Sequence, residues 1–432
     1  MHLTIEKLVY GGEGLARLPA DDYGPGKAAF VPFVLPGEKV EATLREQKPS
    51  FARARADQIC VASPRRIEPR CPYFQRCGGC HYQHAEYEHQ LEIKAAILKE
   101  NLRRIAKLEL DKELEIHPSP PWNYRNRTRL KLQSAPEFAL GYYKFNAHEL
   151  LPIEECPIAS PLINRGLTRV WQLGRRGKIS AEIREIEFFA NGDDTQLLAE
   201  VYGSPQIAAG AEQFATELKA SLPELGGAVF FEARASRAEA FGDPRQIGVS
   251  GADHLIYTTK LASYRVSAGS FFQVNRHLTN ELVSIVTANR GGGAALDLYA
   301  GVGFFSSVLS REFERVIAVE SSPTSYPDLR YNAPASVKAV RATTEQYLEN
   351  AADKLHPELV VVDPPRGGLG ERAIRGLVKL EAPRITYVAC DPATFSRDLG
   401  GLLQAGYRIE EAHLVDLFPQ TYHLESVFHL VR

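Results

Sequence analysis

Residues Ala294–Ser310 read AALDLYAGVGFFSSVLS, a short apolar run that ends near Asp297 and turns on Gly301 and Gly303. Glycines at such positions let the backbone pass close to a ligand and start a helix sharply. Three later segments have the same form: RVIAVESSP (Arg315–Pro323), ELVVVDPPRGG (Glu358–Gly368) and RITYVACDP (Arg384–Pro392). Each is continuously apolar, closes on Asp, Gly, Glu or Pro, and is separated from the next by helical material. Strands buried on both faces of a parallel sheet read this way, and such sheets bind ligands just beyond their carboxyl ends. From about Leu255 onward the expected class is α/β.

Two glycines after a strand are also ordinary turn chemistry. The functional reading draws on Glu320, which closes the next strand about twenty residues on, where a carboxylate accepts hydrogen bonds from a ribose. The loop is not the GxGxxG of dinucleotide sites. A nucleoside cofactor without a pyrophosphate, such as S-adenosylmethionine, suits it better.

Upstream the pattern differs. From Met1 to about Cys60, KAAFVPFV and EKVEATLRE are separated by GGEG, GPG and LPG, which predicts a small twisted antiparallel barrel. AEYEHQLEIKAAILKENLRRIAKL carries Leu91, Ala95 and Leu98 at helical spacing and predicts an amphipathic helix, ended by the prolines of PSPPW. Between Tyr124 and Gly248, TRLKLQ, FALGYYKF, EIREIEFFA, TQLLAEVYG and GAVFFEARA predict strands, with a helix at AEQFATELKAS.

CPYFQRCGGC places Cys71, Cys77 and Cys80 within ten residues, and Cys156 stands apart. A CxxC pair offers two thiolates from one turn, with a third and fourth in reach. Zinc accepts four thiolates, an iron-sulfur cluster is held by four, and spacing alone leaves both open beside unligated thiols. Cys60 reads as a buried small hydrophobe.

The whole chain has 432 residues, 44% hydrophobic and 24% charged, the proportions of soluble globular proteins. No apolar run is long enough to cross a bilayer, and the first residues lack a secretory pattern, so a cytoplasmic location is expected. A net charge of -2 excludes a surface that is basic throughout but leaves room for basic faces. One is expected from Arg45, Lys48, Arg53, Arg55, Arg65, Arg66, Arg70 and Arg76. Another is expected from Arg125, Arg127, Arg129 and Lys131, beside Trp122, Tyr124, Tyr142 and Tyr143. Cations neutralise phosphates while aromatic rings stack on unpaired bases. The plain alternative is a solvated face with core tyrosines.

Taken in order, LTIEKLVYGGEGLARL, CPYFQRCGGCHYQ with the distant CPI at Cys156, YRNRTRLKL, GSFFQVN, LDLYAGVGFFS, VVDPPRGGL, YVACDPATFSRDL and DLFPQTYHLESV resemble one family. It is the S-adenosylmethionine-dependent RNA uracil-5-methyltransferases, in particular the bacterial 23S ribosomal RNA branch with a TRAM domain and an iron-sulfur cluster. The expected multidomain organisation is a TRAM-like RNA-binding barrel at 1–62, a strand-rich cluster and RNA-binding domain at 63–84 and 118–254, and a Rossmann-like methyltransferase domain at 85–117 and 255–432. No membrane and no obligate protein partner are implied.

The resemblance implies that Cys390 is a nucleophile and Glu425 the base that removes the C5 proton. It implies cofactor contacts from Gln273, Tyr299, Glu320 and Asp363, and a 4Fe-4S cluster on Cys71, Cys77, Cys80 and Cys156. The chemistry accounts for these residue types. Uracil C5 is a poor nucleophile until a thiolate adds at C6; methylation at C5 then leaves a proton for a carboxylate, after which the thiolate is expelled. The base must be unpaired or extruded to reach the thiol. Two departures stand out: Pro323 and Pro327 predict an irregular start to the helix after Glu320, and RATTEQYL lacks an acidic strand end before Glu345. Transfer RNA as substrate and a non-enzymatic RNA-binding role are the other readings.

Overall fold

The computed structural model describes residues 1–20, 26–233, 245–288, 291–351 and 355–432. Residues 24 and 25 of the GPG turn and the end of GAVFFEARA at 234–235 lie outside them. Alternation drives the N-terminal part. In Lys39–Gln47, Val40 and Ala42 point inward while their neighbours meet solvent. Six strands between His2 and Val61 form one sheet around a core of Leu3, Ile5, Val31 and Val40. All neighbours are antiparallel except Ala28–Pro32 beside Phe51–Val61, which is parallel, so the expected purely antiparallel pairing is corrected at that point. Cys60 is exposed on the last strand, not buried. That strand outruns the core, and its second half carries no inward apolar side chain beyond a half-buried Ile59.

The central part is a seven-stranded sheet, all antiparallel except Leu197–Gly203 beside Leu225–Glu232. One face packs on helices Pro161–Arg175 and Ala211–Ser221 through Leu130, Ile186, Phe188 and Phe230. The first helix was not anticipated, although Ser160 caps it by accepting from Ile163 N at 3.3 Å and Pro161 opens it, a start signal legible in the chain. The opposite face carries Phe189, Leu198 and Phe231 into the core of the C-terminal domain.

That domain is built on eight strands, numbered in chain order: β1 (Leu114–His117), β2 (Gly292–Leu298), β3 (Phe313–Glu320), β4 (Val337–Arg341), β5 (Leu359–Val362), β6 (Arg384–Ala389), β7 (Arg408–Val415) and β8 (Glu425–Val431). Their spatial order is β4-β3-β2-β5-β6-β8-β7-β1. Only β8 runs against its neighbours. Apolar layers cover both faces, which is why the central strands read as unbroken apolar runs.

The predicted amphipathic helix is Tyr87–Asn101, continued by one wide turn at Leu102–Ala106. Its buried face is Ile93, Ile97 and Leu98 rather than Leu91, Ala95 and Leu98. Lys94 shares that face and is satisfied by Asp416 Oδ1 at 2.6 Å and Phe418 O at 2.9 Å. The helix stops well short of the prolines. Four residues of the gap, Leu114–His117, become a strand only because β7 lies alongside.

Candidate active site and RNA cleft

Parallel neighbours put their ends on one edge, and here the edge carries chemistry. Tyr299 follows β2, Glu320 closes β3, Asp363 follows β5 and Cys390 follows β6. β8 arrives from the other direction and begins with Glu425. Since Ala389 pairs with Ser426, the next step of the register sets Cys390 against Glu425.

The charges at this edge oppose one another. Burial pushes the Cys390 thiol up to about 12, with the carboxylates of Glu425 and Asp363 adding to it and the Arg366 guanidinium opposing. Burial and then Asp363 hold Glu425 well above the usual carboxylate range, while Arg366 again opposes. Asp363 is pushed up to about 7 by burial and by Asp297 behind it. Two carboxyl groups so placed do not both ionise near neutrality. Helix Pro392–Gln404 starts immediately after Cys390, and Asp391 caps it by accepting from Ala393 N at 3.0 Å and Thr394 N at 2.9 Å. A helix N-terminus favours a thiolate, but burial outweighs it here.

The glycine loop is held by Glu320, which accepts from Gly301 N at 2.7 Å and Ser322 N at 2.6 Å. Tyr299 adopts φ 63°, a left-handed conformation uncommon for a bulky residue. Its hydroxyl meets Thr344, which occupies the region where an acidic residue was missed. Helix Ser325–Asn332 tolerates Pro327 in its first turn, so the predicted irregularity is confined to residues 321–324.

Gln273 reaches this region from another direction. It is buried in the segment after Ser270, whose Phe272 packs edge-on against Phe304 of the glycine loop at 5.5 Å. Asn126 Nδ2 donates to the Gln273 carbonyl at 3.2 Å.

Cys71, Cys77, Cys80 and Cys156 line one cleft of about 730 Å³ together with Arg125 and Tyr142. Gln83 Oε1 accepts from Cys71 N at 3.1 Å and fixes the start of the cysteine loop. No three of the four sulfurs lie within 4.8 Å of one another among the described residues. The cleft continues past Tyr10, Tyr422 and His423. Tyr10 comes from the N-terminal barrel and donates from its hydroxyl to Cys390 O at 3.1 Å. Its ring meets Tyr422 edge-on at 5.4 Å, and His423 Nδ1 faces Arg366 at 3.5 Å. The cysteine site and the strand-end site are thus walls of a continuous surface.

The expected basic stripe on TRLKLQ is corrected. Alternation does put Arg127, Arg129 and Lys131 on one side of the strand, but that side faces carboxylates. Arg127 binds Glu187 and, at 2.6 Å, Glu200 Oε1; Arg129 Nε donates to Glu187 Oε2 at 2.5 Å; Lys131 binds Glu185. The layer positions the Gln273 segment, since Arg127 also donates to Ser270 O and Glu200 accepts from Gly269 N at 3.0 Å. Arg125 has no ion-pair partner among the described residues and remains on the cleft. In the first basic region Arg66 pairs with Glu38 and Arg55 with Asp57, each at 2.6 Å. Arg70 lies over the Trp122 ring at 5.2 Å.

Residues 86–432 match the tRNA (uracil-5-)-methyltransferase family, and residues 1–56 match the TRAM domain. The chain belongs to the RNA uracil-5-methyltransferase family. A relative named as an uncharacterized RNA methyltransferase from Aquifex aeolicus is 34% identical over 99% of this chain and 97% of its own length. A second from Caldanaerobacter subterraneus is 31% identical over 98% and 96%. A solved Pyrococcus abyssi tRNA (uracil-54, C5)-methyltransferase, in complex with S-adenosyl-L-homocysteine, superposes with a TM-score of 0.75 at 24% identity, covering all of both chains. It shares the fold. The protein is therefore an RNA methyltransferase carrying a TRAM domain.

Three elements of this methyltransferase were not anticipated. Tyr10 has no local signal, because its relevance depends on the barrel docking at β6. Arg366 lies in a quoted motif and was not singled out, although a cation beside two acidic strand ends was a legible hint. Asp297, fully buried with Oδ1 unpartnered, was read only as a strand end.

Proposed function

We propose that this enzyme methylates C5 of a uridine in 23S ribosomal RNA to 5-methyluridine, with Cys390 as nucleophile and Glu425 as proton acceptor. The observation that carries the reading is the register of β6 against β8, which sets a thiol and a carboxylate face to face at the ligand edge of the sheet. Cys390 Sγ adds to C6 of an extruded uracil, and the C5–C6 π electrons become an enolate on the ring. S-adenosylmethionine supplies the methyl group to C5, and Gln273, Tyr299, Glu320 and Asp363 are the residues that would hold it. Glu425 takes the C5 proton, and the electrons of that C–H bond expel the Cys390 thiolate. Glu425 accepts that proton only in its ionised form, which burial and Asp363 oppose and the Arg366 guanidinium favours.

Cys71, Cys77, Cys80 and Cys156 are proposed to hold a 4Fe-4S cluster. Four thiolates around one zinc would lie roughly 3.8 Å apart, from Zn–S bonds of about 2.3 Å. An iron-sulfur cluster is likewise held by four thiolates, and all four cysteines line the one cleft. Cluster-bound loops would then wall the cleft along which RNA reaches Cys390, with Arg125 meeting phosphate and Tyr422 and Tyr10 offering rings for stacking.

The test uses RNA carrying 5-fluorouridine. Wild type should form an adduct that survives a denaturing gel, because fluorine cannot leave as a proton. Cys390→Ala should form none, and Glu425→Gln should accumulate a methylated adduct on unmodified RNA. An adduct on Cys390→Ala, mapped to another residue, would sink the assignment. The fold is shared with an enzyme that acts on tRNA, which makes tRNA the second reading. Mapping 5-methyluridine by mass spectrometry in cells with and without the protein separates the two, and loss confined to tRNA would refute the ribosomal target while leaving the chemistry intact.

A further inference from the structure

One side chain of the N-terminal barrel reaches the end of β6. The barrel strands Lys7–Leu8 and Glu13–Arg17 are antiparallel neighbours joined by a tight turn, and Tyr10 lies in that turn. Its hydroxyl donates to Cys390 O at 3.1 Å, across 380 residues of chain. Burial and then Asp391 hold the phenol well above its ordinary range, so it remains an O–H donor near neutrality. The carbonyl it meets lies between two regular elements. β6 ends at Ala389, and the helix Pro392–Gln404 begins its bonding with Asp391 O, which accepts from Phe395 N at 3.1 Å. Cys390 O therefore falls past the strand and ahead of the helix. A planar trans peptide whose oxygen is held by the barrel keeps its N–H, that of Asp391, turned the opposite way.

The turn is anchored on both sides. Leu8 and Leu35 of the barrel are buried in the same apolar cluster as Leu98, Tyr387 and Phe395 of the C-terminal domain, and Lys7 Nζ donates to Glu100 Oε1 at 2.5 Å. Gly12, at φ +87°, lies so close to His81 that a Cβ added there would stand 3.0 Å from His81 Cβ. The Tyr10 ring meets Tyr422 edge-on, and Tyr422 meets the His81 ring in the same way at 4.6 Å. The loop that carries Tyr422 has its own clamps. Phe418 O accepts from Lys94 Nζ at 2.9 Å, Pro419 O from the Tyr124 hydroxyl at 3.0 Å, and Gln420 O from His81 N at 2.8 Å and Tyr82 N at 2.9 Å. Removing the Tyr10 hydroxyl thus leaves that loop held and deletes the bond on Cys390.

We propose that Tyr10 is a positioning residue for methyl transfer, its hydroxyl holding the Cys390 peptide in the orientation from which the thiolate reaches C6 of the uracil. The inference rests on the reading of Cys390 as nucleophile. It makes the barrel a structural part of the active site, because the backbone of the reacting residue is fixed from the barrel side. Rate depends steeply on such placement: a shift of roughly 1 Å in a reacting atom costs on the order of a hundredfold. One neutral hydrogen bond is worth about tenfold at most. The ring and the hydroxyl of Tyr10 have separable roles, since the ring packs on Tyr422 and the hydroxyl alone touches Cys390.

The test follows adduct formation by the full-length protein, with S-adenosylmethionine, on RNA carrying 5-fluorouridine. It reads the rate at saturating RNA and the RNA concentration at half-saturation. Tyr10→Phe keeps the ring and should lower the saturating rate about tenfold, with half-saturation, S-adenosylmethionine binding and the unfolding temperature unchanged. Gly12→Ala keeps the hydroxyl but pushes the turn off His81, and should lower the same rate. Because both changes act through one contact, the double variant should be no slower than the slower single variant. A wild-type saturating rate in Tyr10→Phe, a loss confined to half-saturation, or additive losses in the double variant would overturn the inference while the wild-type adduct on Cys390 still stood. Absence of any adduct in wild type, or its persistence in Cys390→Ala, would refute the nucleophile assignment and the inference with it.

Discussion

Replacing Asp297 by Asn should stabilise the cofactor-free enzyme in a pH-dependent way. The carboxyl is fully buried on β2; Oδ2 accepts from Ser306 Oγ, and Oδ1 has no partner. Burial is the main reason its pKa rises from 3.8 to about 7, eased by the Ser306 bonds and reinforced by Glu320. The unfolded chain therefore releases this proton above about pH 4, whereas the folded chain keeps it to about pH 7, so wild-type stability falls as pH rises between the two values. At about 1.36 kcal/mol for each pH unit of that interval, the penalty reaches at most ~4 kcal/mol at pH 8 and ~1.6 kcal/mol at pH 5. An amide of the same shape pays none of it, can still accept from Ser306, and presents an NH2 toward the carboxylates of Glu320 and Asp363. Urea unfolding of both proteins should show the advantage of Asp297→Asn widening by roughly 2–3 kcal/mol from pH 5 to pH 8. An advantage of equal size at both pH values, or a less stable variant at pH 8, would refute the assignment of Asp297 as a buried high-pKa acid.

Removing the guanidinium in Arg127→Met leaves Glu187 and Glu200 facing each other in a buried layer, and should cost about 3–5 kcal/mol in denaturant unfolding; a loss below 1 kcal/mol would mean that the layer is more hydrated than its geometry implies. With the Cys390 thiol pushed up to about 12, adduct formation with fluorinated RNA should rise about tenfold per pH unit through the alkaline range, and a plateau near pH 8 in quench-flow data would contradict the buried-thiol picture. Gly303→Ala places a Cβ 2.9 Å from Leu329 Cδ1 at φ +87°, so calorimetry should register weaker S-adenosylmethionine binding together with a lower unfolding temperature; full retention of both would show the loop to be more compliant than its close contact suggests.

Much of the active edge was legible because the relevant signals are local. An apolar run closed by Asp-Leu-Tyr and two glycines, or by Ala-Cys-Asp-Pro, is a strand passing into a ligand loop whatever surrounds it. The strands and the helix Ala211–Ser221 of the central part were legible from alternation and helical spacing for the same reason. The cysteine spacing likewise suggested that Cys71, Cys77, Cys80 and Cys156 belong together, and all four do line one cleft, but it did not choose a ligand. Where the reading failed, the deciding partner was remote. Leu114–His117 has too few residues to declare itself and is a strand only beside β7. The buried face of Tyr87–Asn101 turned because Lys94 has Asp416 to meet, more than 300 residues away in the chain.

Period-two alternation correctly placed Arg127, Arg129 and Lys131 on one face, because side-chain direction along a strand is a property of the backbone. Whether that face meets RNA or Glu187 and Glu200 is a matter of which strands lie alongside, and sheet order is set by burial of the whole domain. The same division holds for Cys390, the proposed nucleophile. Its place after β6 followed from the sequence, while its high pKa, its contact with Tyr10 of the barrel and its register against Glu425 exist only once three distant segments are packed together. Charge, desolvation and register are sums over neighbours in space, and a linear pattern carries them only when those neighbours are also close in the chain.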